Sequence, residues 1–132
     1  MVAETDLKTL LKNLTPVASK EDYVFTTLPQ AKVRSELITA AKGLFQESEG
    51  TTLIISAAEA QRFALPFEGR FRCITCEVHS SLDAVGMTAA MSRALGDAGI
   101  SANVVAAYYH DHIFVPADKV DLAVQVLQQL GH

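Results

Sequence analysis

The amino-acid sequence predicts an α+β protein with antiparallel sheets and helices packed on one face of each sheet. The second half shows the order β-α-β-β-α, and shorter strand and helix patterns alternate in the first half. Apolar residues make up 49% of the 132 residues, enough for a packed core without disulfides or metals. We expect two lobes, residues 1–66 and residues 67–132, with the linker near Pro66.

The second half opens with a strand and a helix. Residues 72–79 alternate between polar and apolar side chains, which is typical of a half-buried strand. The following segment ends at Gly99, a residue type that commonly closes a helix. Its apolar residues recur at helical spacing: Met87, Ala90, Met91, Ala94, Leu95 and Ala98.

A hairpin and a second helix complete the second half. A strand over residues 100–109 leads to a predicted reversal at His110 and Asp111, and residues 113–115 form the return strand. Asp118 is predicted to cap the last helix. The apolar positions of that helix are Val120, Ala123, Val124, Leu127 and Leu130.

The first half contains weaker versions of the same signals. Four leucines at helical spacing (Leu7, Leu10, Leu11 and Leu14) predict a helix that Pro16 stops, and residues 23–28 predict a strand. Residues 44–47 and 51–55 flank a hairpin turn with a positive φ at Gly50. Ser56 and Glu59 form a capping box before a short helix. Residues 30–41 remain ambiguous.

The second half lacks one strand of a ferredoxin-like β-α-β-β-α-β unit. The sequence reaches His132 directly after the last predicted helix, so no final strand follows. An open sheet edge favours pairing with another strand. We therefore expect a strand of the first half, residues 23–28, to complete the second sheet, so that the two halves exchange a strand.

Charge excludes several classes of function. The chain carries 11 basic and 15 acidic residues, without the basic patch typical of nucleic-acid or membrane-surface binding. No apolar run approaches the about 18 residues of a membrane span, and the acidic start is unlike a signal peptide. We expect a cytoplasmic protein.

Cys73 and Cys76 lie three apart on a predicted strand, which predicts separate, reduced thiols rather than a redox pair.

Two segments of the second half resemble the ACT domain, the amino-acid-sensing module of aspartate kinase and its relatives. These are residues 83–88, Asp-Ala-Val-Gly-Met-Thr, and residues 98–105, Ala-Gly-Ile-Ser-Ala-Asn-Val-Val. The family's usual pattern has proline at the position of Val85 and asparagine at that of Ser101. The resemblance implies two ACT-like lobes of ferredoxin-like fold.

Two further segments extend the resemblance. Residues 107–115 resemble the strand turn of the cytosolic arginine-sensor family, with Ala107 in place of a threonine. Residues 45–54 resemble bacterial tandem-ACT proteins of unassigned role. The resemblance implies a non-catalytic regulator that binds a free amino acid at the ACT interface, forms a homodimer and controls a protein partner.

The predicted ligand-binding residues lie around two positions. Gly86, before the helix, allows backbone N–H groups and the helix dipole to face a carboxylate, although it could equally serve only the loop conformation. The resemblance implies that Asp111 meets a cationic ligand group, whereas a purely structural turn role is equally consistent. The full predicted set is Ser81, Asp83, Val85, Gly86, Met87, Thr88, Asn103, Ala107 and Asp111.

Two alternative functions remain open. His79, His110 and His112, with Asp111, could form the metal site of a small enzyme, although a reversal at that point would separate the imidazoles. A ligand-free dimerisation module would use the same strands as a sensor. The sequence favours a sensor without metal or cofactor. Asp111 favours a cationic amino acid, and the small Ala107 leaves room for an apolar one.

Overall fold

The computed structural model describes residues 6–78 and 85–132. Its strands are β1 Thr15–Leu28, β2 Gly43–Glu47, β3 Gly50–Ser56, β4 Phe71–Glu77, β5 Asn103–Ala106 and β6 Asp111–Pro116. Its helices are α1 Leu7–Asn13, α2 Ser35–Ala40, α3 Ala57–Arg62, α4 Met87–Asp97 and α5 Val120–Gln128. The predicted α+β class is confirmed.

The chain packs as two compact units. Unit 1 contains the chain up to Lys20 together with Arg72–His132, and unit 2 contains Glu21–Phe71. Unit 1 is therefore built from two separate segments of the sequence, whereas unit 2 is continuous. The predicted lobe boundary at residue 66 stays a prediction.

The sheet of unit 1 is completed by the first part of β1. The strand order in this unit is β1-β4-β6-β5. At the start of β4, the Cys73 backbone N–H donates to Ser19 Oγ at 3.0 Å, and Arg72 Nε donates to the Ser19 carbonyl at 2.7 Å. A strand of the first half thus fills the missing position, as predicted.

The prediction that residues 23–28 complete the sheet of unit 1 was wrong. Residues 23–28 pair with β3, from Tyr23 opposite Ser56 to Leu28 opposite Thr51. The part of β1 that belongs to unit 1 ends at Lys20. The physical reason is the length of β1, which spans 14 residues against about 5–6 for a usual strand. One long strand can therefore serve both units.

The core of unit 1 lies on the helical face of its sheet. Helices α1, α4 and α5 and alternate residues of β4 and β6 contribute fully or almost fully buried apolar side chains. Burial of these side chains is the main stabilising term for a unit of this size. They include Leu10, Leu14, Ile74, Cys76, Met91, Leu95, Ile113, Val115, Ala123 and Leu127.

The hairpin between β5 and β6 corrects two predictions. The Ala107 N–H donates to the His110 carbonyl at 3.1 Å, so residues 107–110 form the reversal. Asp111 instead begins β6, opposite Ala106. Strand β5 spans only residues 103–106 of the predicted 100–109. The Ile100 N–H is still bonded to the Leu95 carbonyl at the end of α4, and residues 107–110 form the reversal.

The predicted cap of the last helix was also wrong. Asp118 lies in a 3₁₀ turn, Ala117–Lys119, that precedes α5. This turn moves the N-cap to Lys119, where none of the described side chains caps the helix. The buried face of α5 is as predicted and includes Val120, Ala123 and Leu127.

Unit 2 contains the predicted hairpin and the predicted side-chain cap at Ser56. Its sheet has the order β2-β3-β1, and β2 pairs antiparallel with β3. The Ser56 side chain accepts a hydrogen bond from the Glu59 N–H at 3.2 Å and begins α3. The ambiguous residues 30–41 form a 3₁₀ turn and α2. A small core of Val24, Ile55, Ala57 and Ala60 holds the unit together.

The end of α4 is closed by the predicted glycine. Gly99 has φ +77°, and its N–H donates to the Gly96 carbonyl at 3.0 Å. The Ile100 N–H donates to the Leu95 carbonyl at 2.9 Å, and buried Ile100 belongs to the same core as Leu95. This pair of hydrogen bonds is the Schellman motif, which needs a left-handed residue after the helix.

The last glycine of α4, Gly96, and the glycine that follows the helix, Gly99, should respond in opposite directions to alanine. A Cβ would meet nothing within 4 Å at either Gly96 or Gly99, but only Gly99 has a left-handed φ. Gly96→Ala should raise the free energy of unfolding by about 0.5–1 kcal/mol, since alanine favours the helix. Gly99→Ala should lower it by about 1–2 kcal/mol. Urea unfolding of both variants measures these changes, and equal effects would contradict the assignment of this helix end.

Residues 68–132 alone should not fold. That fragment lacks α1 and the start of β1, and so loses Leu10 and Leu14 from the core and the strand beside β4. We expect poorly dispersed amide signals from the fragment in an NMR spectrum. A peptide of residues 6–20 added in trans should restore dispersion, and a peptide of residues 21–35 serves as the control. Sharp signals from the fragment alone would contradict the two-segment construction of unit 1.

Candidate ligand-binding site

The N-terminus of α4 is the first part of the candidate site. Gly86 is the N-cap of this helix of 11 residues, with φ +93°, and no side chain among the described residues caps it. Val85 is 83% exposed, whereas Met87 is 4% exposed and anchors the first turn in the core. Thr88 is exposed. The backbone therefore supplies the hydrogen-bond donors at this helix end, because the first N–H groups of a helix have no partners within the helix.

Glycine at residue 86 is favoured by its backbone conformation, and a side chain there would also crowd a neighbour. A left-handed φ strains any side chain. A Cβ on Gly86 would also lie 3.1 Å from Leu7 Cδ2 in α1. The position therefore has a structural role as well as the predicted binding role.

Asp111 lies at the same end of the sheet of unit 1 as Gly86. It begins β6, and its charge contributes to the raised pKa of Cys76 near the end of β4. Strand β4 ends at Glu77, and the chain then leads to Gly86. The topology therefore brings Gly86, Asp111 and the turn that starts at Ala107 to one end of the sheet. Asp111 is half-buried, so its charge is screened less than that of an exposed carboxylate.

Asn103 lies apart from this group. It pairs with Phe114, at the opposite end of the β5–β6 ladder from the pair of Ala106 and Asp111. Its Nδ2 donates to the Phe114 carbonyl at 3.2 Å. The amide therefore stabilises the hairpin. Ser81 and Asp83, both in the predicted set, lie outside the described residues.

The histidines do not form a described metal cluster. His112 Nδ1 lies 3.0 Å from Thr75 Oγ1 and 4.0 Å from Cys73 Sγ, in a contact between β4 and β6. His110 Nδ1 is buried and has no hydrogen-bond partner in the described part of the chain. Within residues 6–78 and 85–132, no three His, Cys, Asp or Glu side chains are grouped to hold a metal ion. His79 lies outside these ranges.

Sequence reasoning missed the cluster of Cys73, Thr75 and His112. These residues are distant in sequence and meet only through the register of β4 against β6. The alternation of β4 already predicted that Cys73 and Thr75 share one face. Only the register of β6 against β4 would have added His112 to this pair of side chains.

The two cysteines form no disulfide with each other and both are buried, and they lie on opposite faces of β4, as the strand pattern predicted. Cys76 belongs to the apolar core of unit 1, whereas Cys73 faces His112 on the opposite side of β4. Burial, and to a smaller extent the charges of Asp111 and Cys73, raises the pKa of the Cys76 thiol to about 12. A thiol of this kind is a poor nucleophile, because the thiolate is the reactive form.

Comparison with known families agrees with this architecture. A model of the ACT domain matches residues 2–72, and a second ACT-domain model matches residues 67–129. The chain belongs to the ACT-domain family. It is a tandem ACT protein of unassigned role, and its family supports a regulatory, ligand-binding role in general.

Solved structures show the same fold over nearly the whole tandem ACT chain. A Vibrio cholerae protein of unknown function, described as a possible transport protein, is 41% identical, with 96% of each chain covered and a TM-score of 0.85. A protein from Agrobacterium tumefaciens is 15% identical, with 90% of each chain covered and a TM-score of 0.73. The ligand-free regulatory subunit of aspartate kinase from Thermus thermophilus is 10% identical, covering 87% of this chain and 95% of its own, with a TM-score of 0.62.

No sequence among curated proteins matches this chain. Across residues 6–78 and 85–132, every helix is too short or too polar to cross a membrane.

The Cys76 thiol should make stability depend on alkaline pH. Its pKa is 9.0 when exposed and about 12 in the fold, so the unfolded chain loses this proton first as pH rises. The free energy of unfolding should therefore fall between pH 9 and pH 12, by up to about 1.4 kcal/mol per pH unit. Urea unfolding of the wild type and Cys76→Ala over this range isolates the effect, since all other groups titrate in both proteins. Parallel pH curves would contradict the prediction.

Proposed function

We propose that this tandem ACT protein is a non-catalytic sensor that binds a free amino acid at the α4 end of the sheet in unit 1 and thereby regulates a partner protein. The observation that carries the proposal is the N-terminus of α4 at Gly86, uncapped by any described side chain and at the same end of the sheet as Asp111. Family membership supports the regulatory part.

The two parts of the site suit the two ends of an amino acid. The N–H groups and the positive dipole end of α4 favour the ligand carboxylate. Gly86 lets the ligand approach the backbone closely. Asp111 favours a cationic group, so lysine or arginine is the preferred ligand. Exposed Val85 and the turn from Ala107 lie where an aliphatic chain could pack.

A second copy of the chain is the proposed dimer partner. Strand β5 is the last strand in the order of its sheet, and Val105 on it is 37% exposed. Residues 100–107 carry no charged side chain or proline, the features that usually protect an open edge from pairing. Edge-to-edge pairing of two copies would satisfy the backbone groups of β5. The same edge supports the second candidate function, a dimerisation module without a ligand.

Regulation requires that the ligand bind two states of the protein with different affinity. A coupling free energy of about 1–3 kcal/mol is sufficient for a switch of this kind. The proposal includes a partner protein that responds to this change of state.

A thermal-shift screen against the twenty amino acids tests the sensor. A ligand present at 100 times its Kd adds about 2.7 kcal/mol to the free energy of unfolding, so its melting temperature rises measurably. Asp111→Asn should weaken a cationic ligand about tenfold, because it removes a charge-assisted contact. Asp118→Asn, an exposed carboxylate in the turn before α5, serves as the matched control.

The outcomes separate the candidate functions. No shift with any amino acid would overturn the sensor, and a dimer in sedimentation experiments without ligand would then favour the dimerisation module. An equal loss of affinity in Asp111→Asn and Asp118→Asn would place the ligand elsewhere.

A further inference from the structure

Unit 2 contains a cavity that the proposed sensor site does not use. It has a volume of about 690 Å³ and lies beside the last residues of β1. Its lining includes the half-buried Phe25 and Phe67 and the exposed Glu47 and Glu68. This volume is in the usual range for small-molecule sites.

The wall of the cavity is held by hydrogen bonds. Thr26 is 5% exposed, and its hydroxyl donates to the Pro66 carbonyl at 2.6 Å, which ties residues 66–68 to β1. The Thr52 hydroxyl donates to Glu47 Oε1 and fixes this carboxylate beside the cavity. Phe25 also packs edge-to-face on Phe71, with ring centres 5.2 Å apart. These contacts position the rings and one carboxylate before any ligand arrives.

The charge of the lining has one sign. Among the described residues, the cavity is lined by two carboxylates and by no lysine, arginine or histidine. Arg70 lies nearby, with its guanidinium carbon 6.0 Å from the centre of the Phe67 ring, but it is ion-paired with Asp22 at 3.4 Å. A cation at the Phe67 ring is therefore compatible with the fold, while the cavity itself keeps a negative lining.

Another cavity among the described residues of unit 2 differs in this respect. It has a volume of about 670 Å³ and is lined by acidic and basic residues. Arg62 is paired there with Glu59 at 2.9 Å, and Lys42 Nζ lies 5.4 Å from the centre of the Tyr23 ring. Charges of both signs give this cavity no preference for one class of ion. The contrast favours the cavity beside Phe25 as a selective site.

We propose that the cavity lined by Phe25, Phe67, Glu47 and Glu68 binds a small aliphatic amine in its ammonium form. An ammonium group gains a charge-assisted hydrogen bond from each carboxylate that it reaches, and aromatic faces attract cations. The alkyl chain of the amine packs against the two rings. This second site is independent of the amino-acid site proposed in unit 1.

Calorimetric titration of the full chain with 1-pentylamine at pH 7 tests the proposal, with 1-pentanol as the uncharged ligand of similar shape. We expect saturable binding of the amine and at least fivefold weaker binding of the alcohol. Glu47→Gln and Glu68→Gln should each weaken the amine about fivefold. Gln at residue 47 can still accept the hydrogen bond from Thr52, so the fold is kept.

Glu49→Gln is the matched control, because Glu49 is an exposed carboxylate of the same hairpin and does not line the cavity. It should leave the affinity for the amine unchanged, as should Asp118→Asn, which removes an exposed carboxylate of unit 1 that lines neither proposed site. Equal binding of pentanol, equal loss in Glu49→Gln, or the absence of saturable amine binding would each overturn the proposal. Loss of amine binding in Asp111→Asn would also overturn it, by moving the amine to the site in unit 1.

Discussion

The continuity of β1 is the constraint on which the rest of the structure depends. One strand of 14 residues supplies both the outer strand of the sheet in unit 1 and a strand that pairs with β3 in unit 2. Helix α1 precedes it directly and buries Leu10 and Leu14 in the core of unit 1. The proposed ligand site at the α4 end of that sheet depends on these N-terminal residues, because Leu7 lies beside Gly86.

Much of this architecture could be predicted from periodicity and turn chemistry. The leucine spacing located α1, the capping box located α3, and Gly99 located the end of α4. Local signals failed where a tertiary pairing set the boundary. Strand β1 extends back to Thr15 because it has partner strands along its length. The charged segment around Lys20 has no residue pattern that predicts a strand. Asp118 was predicted to be the N-cap of α5, but it lies in a 3₁₀ turn, and the N-cap is Lys119.

The candidate site was less predictable than the fold. Gly86 could be found because a glycine before an amphipathic helix has a clear conformational reason, and its φ of +93° agrees with that reason. Asp111 was placed in a turn and instead begins β6, where it lies close enough to raise the pKa of Cys76. The cavity beside Phe25 has no sequence signature at all. Its carboxylates come from β2 and from the segment after Pro66, and only the folded chain brings them together.

The two-segment construction of unit 1 also sets the order of events during synthesis. Helix α1 is synthesised before unit 2, and its partners in the core begin only after Arg72, so all of unit 2 is made in between. Unit 2 draws on one continuous stretch. Unit 1 must also close a loop across that whole stretch, which slows folding. Nascent chains therefore expose the apolar stripe of α1 while they are being completed. That stripe is a surface for chaperones to protect and for proteases to find.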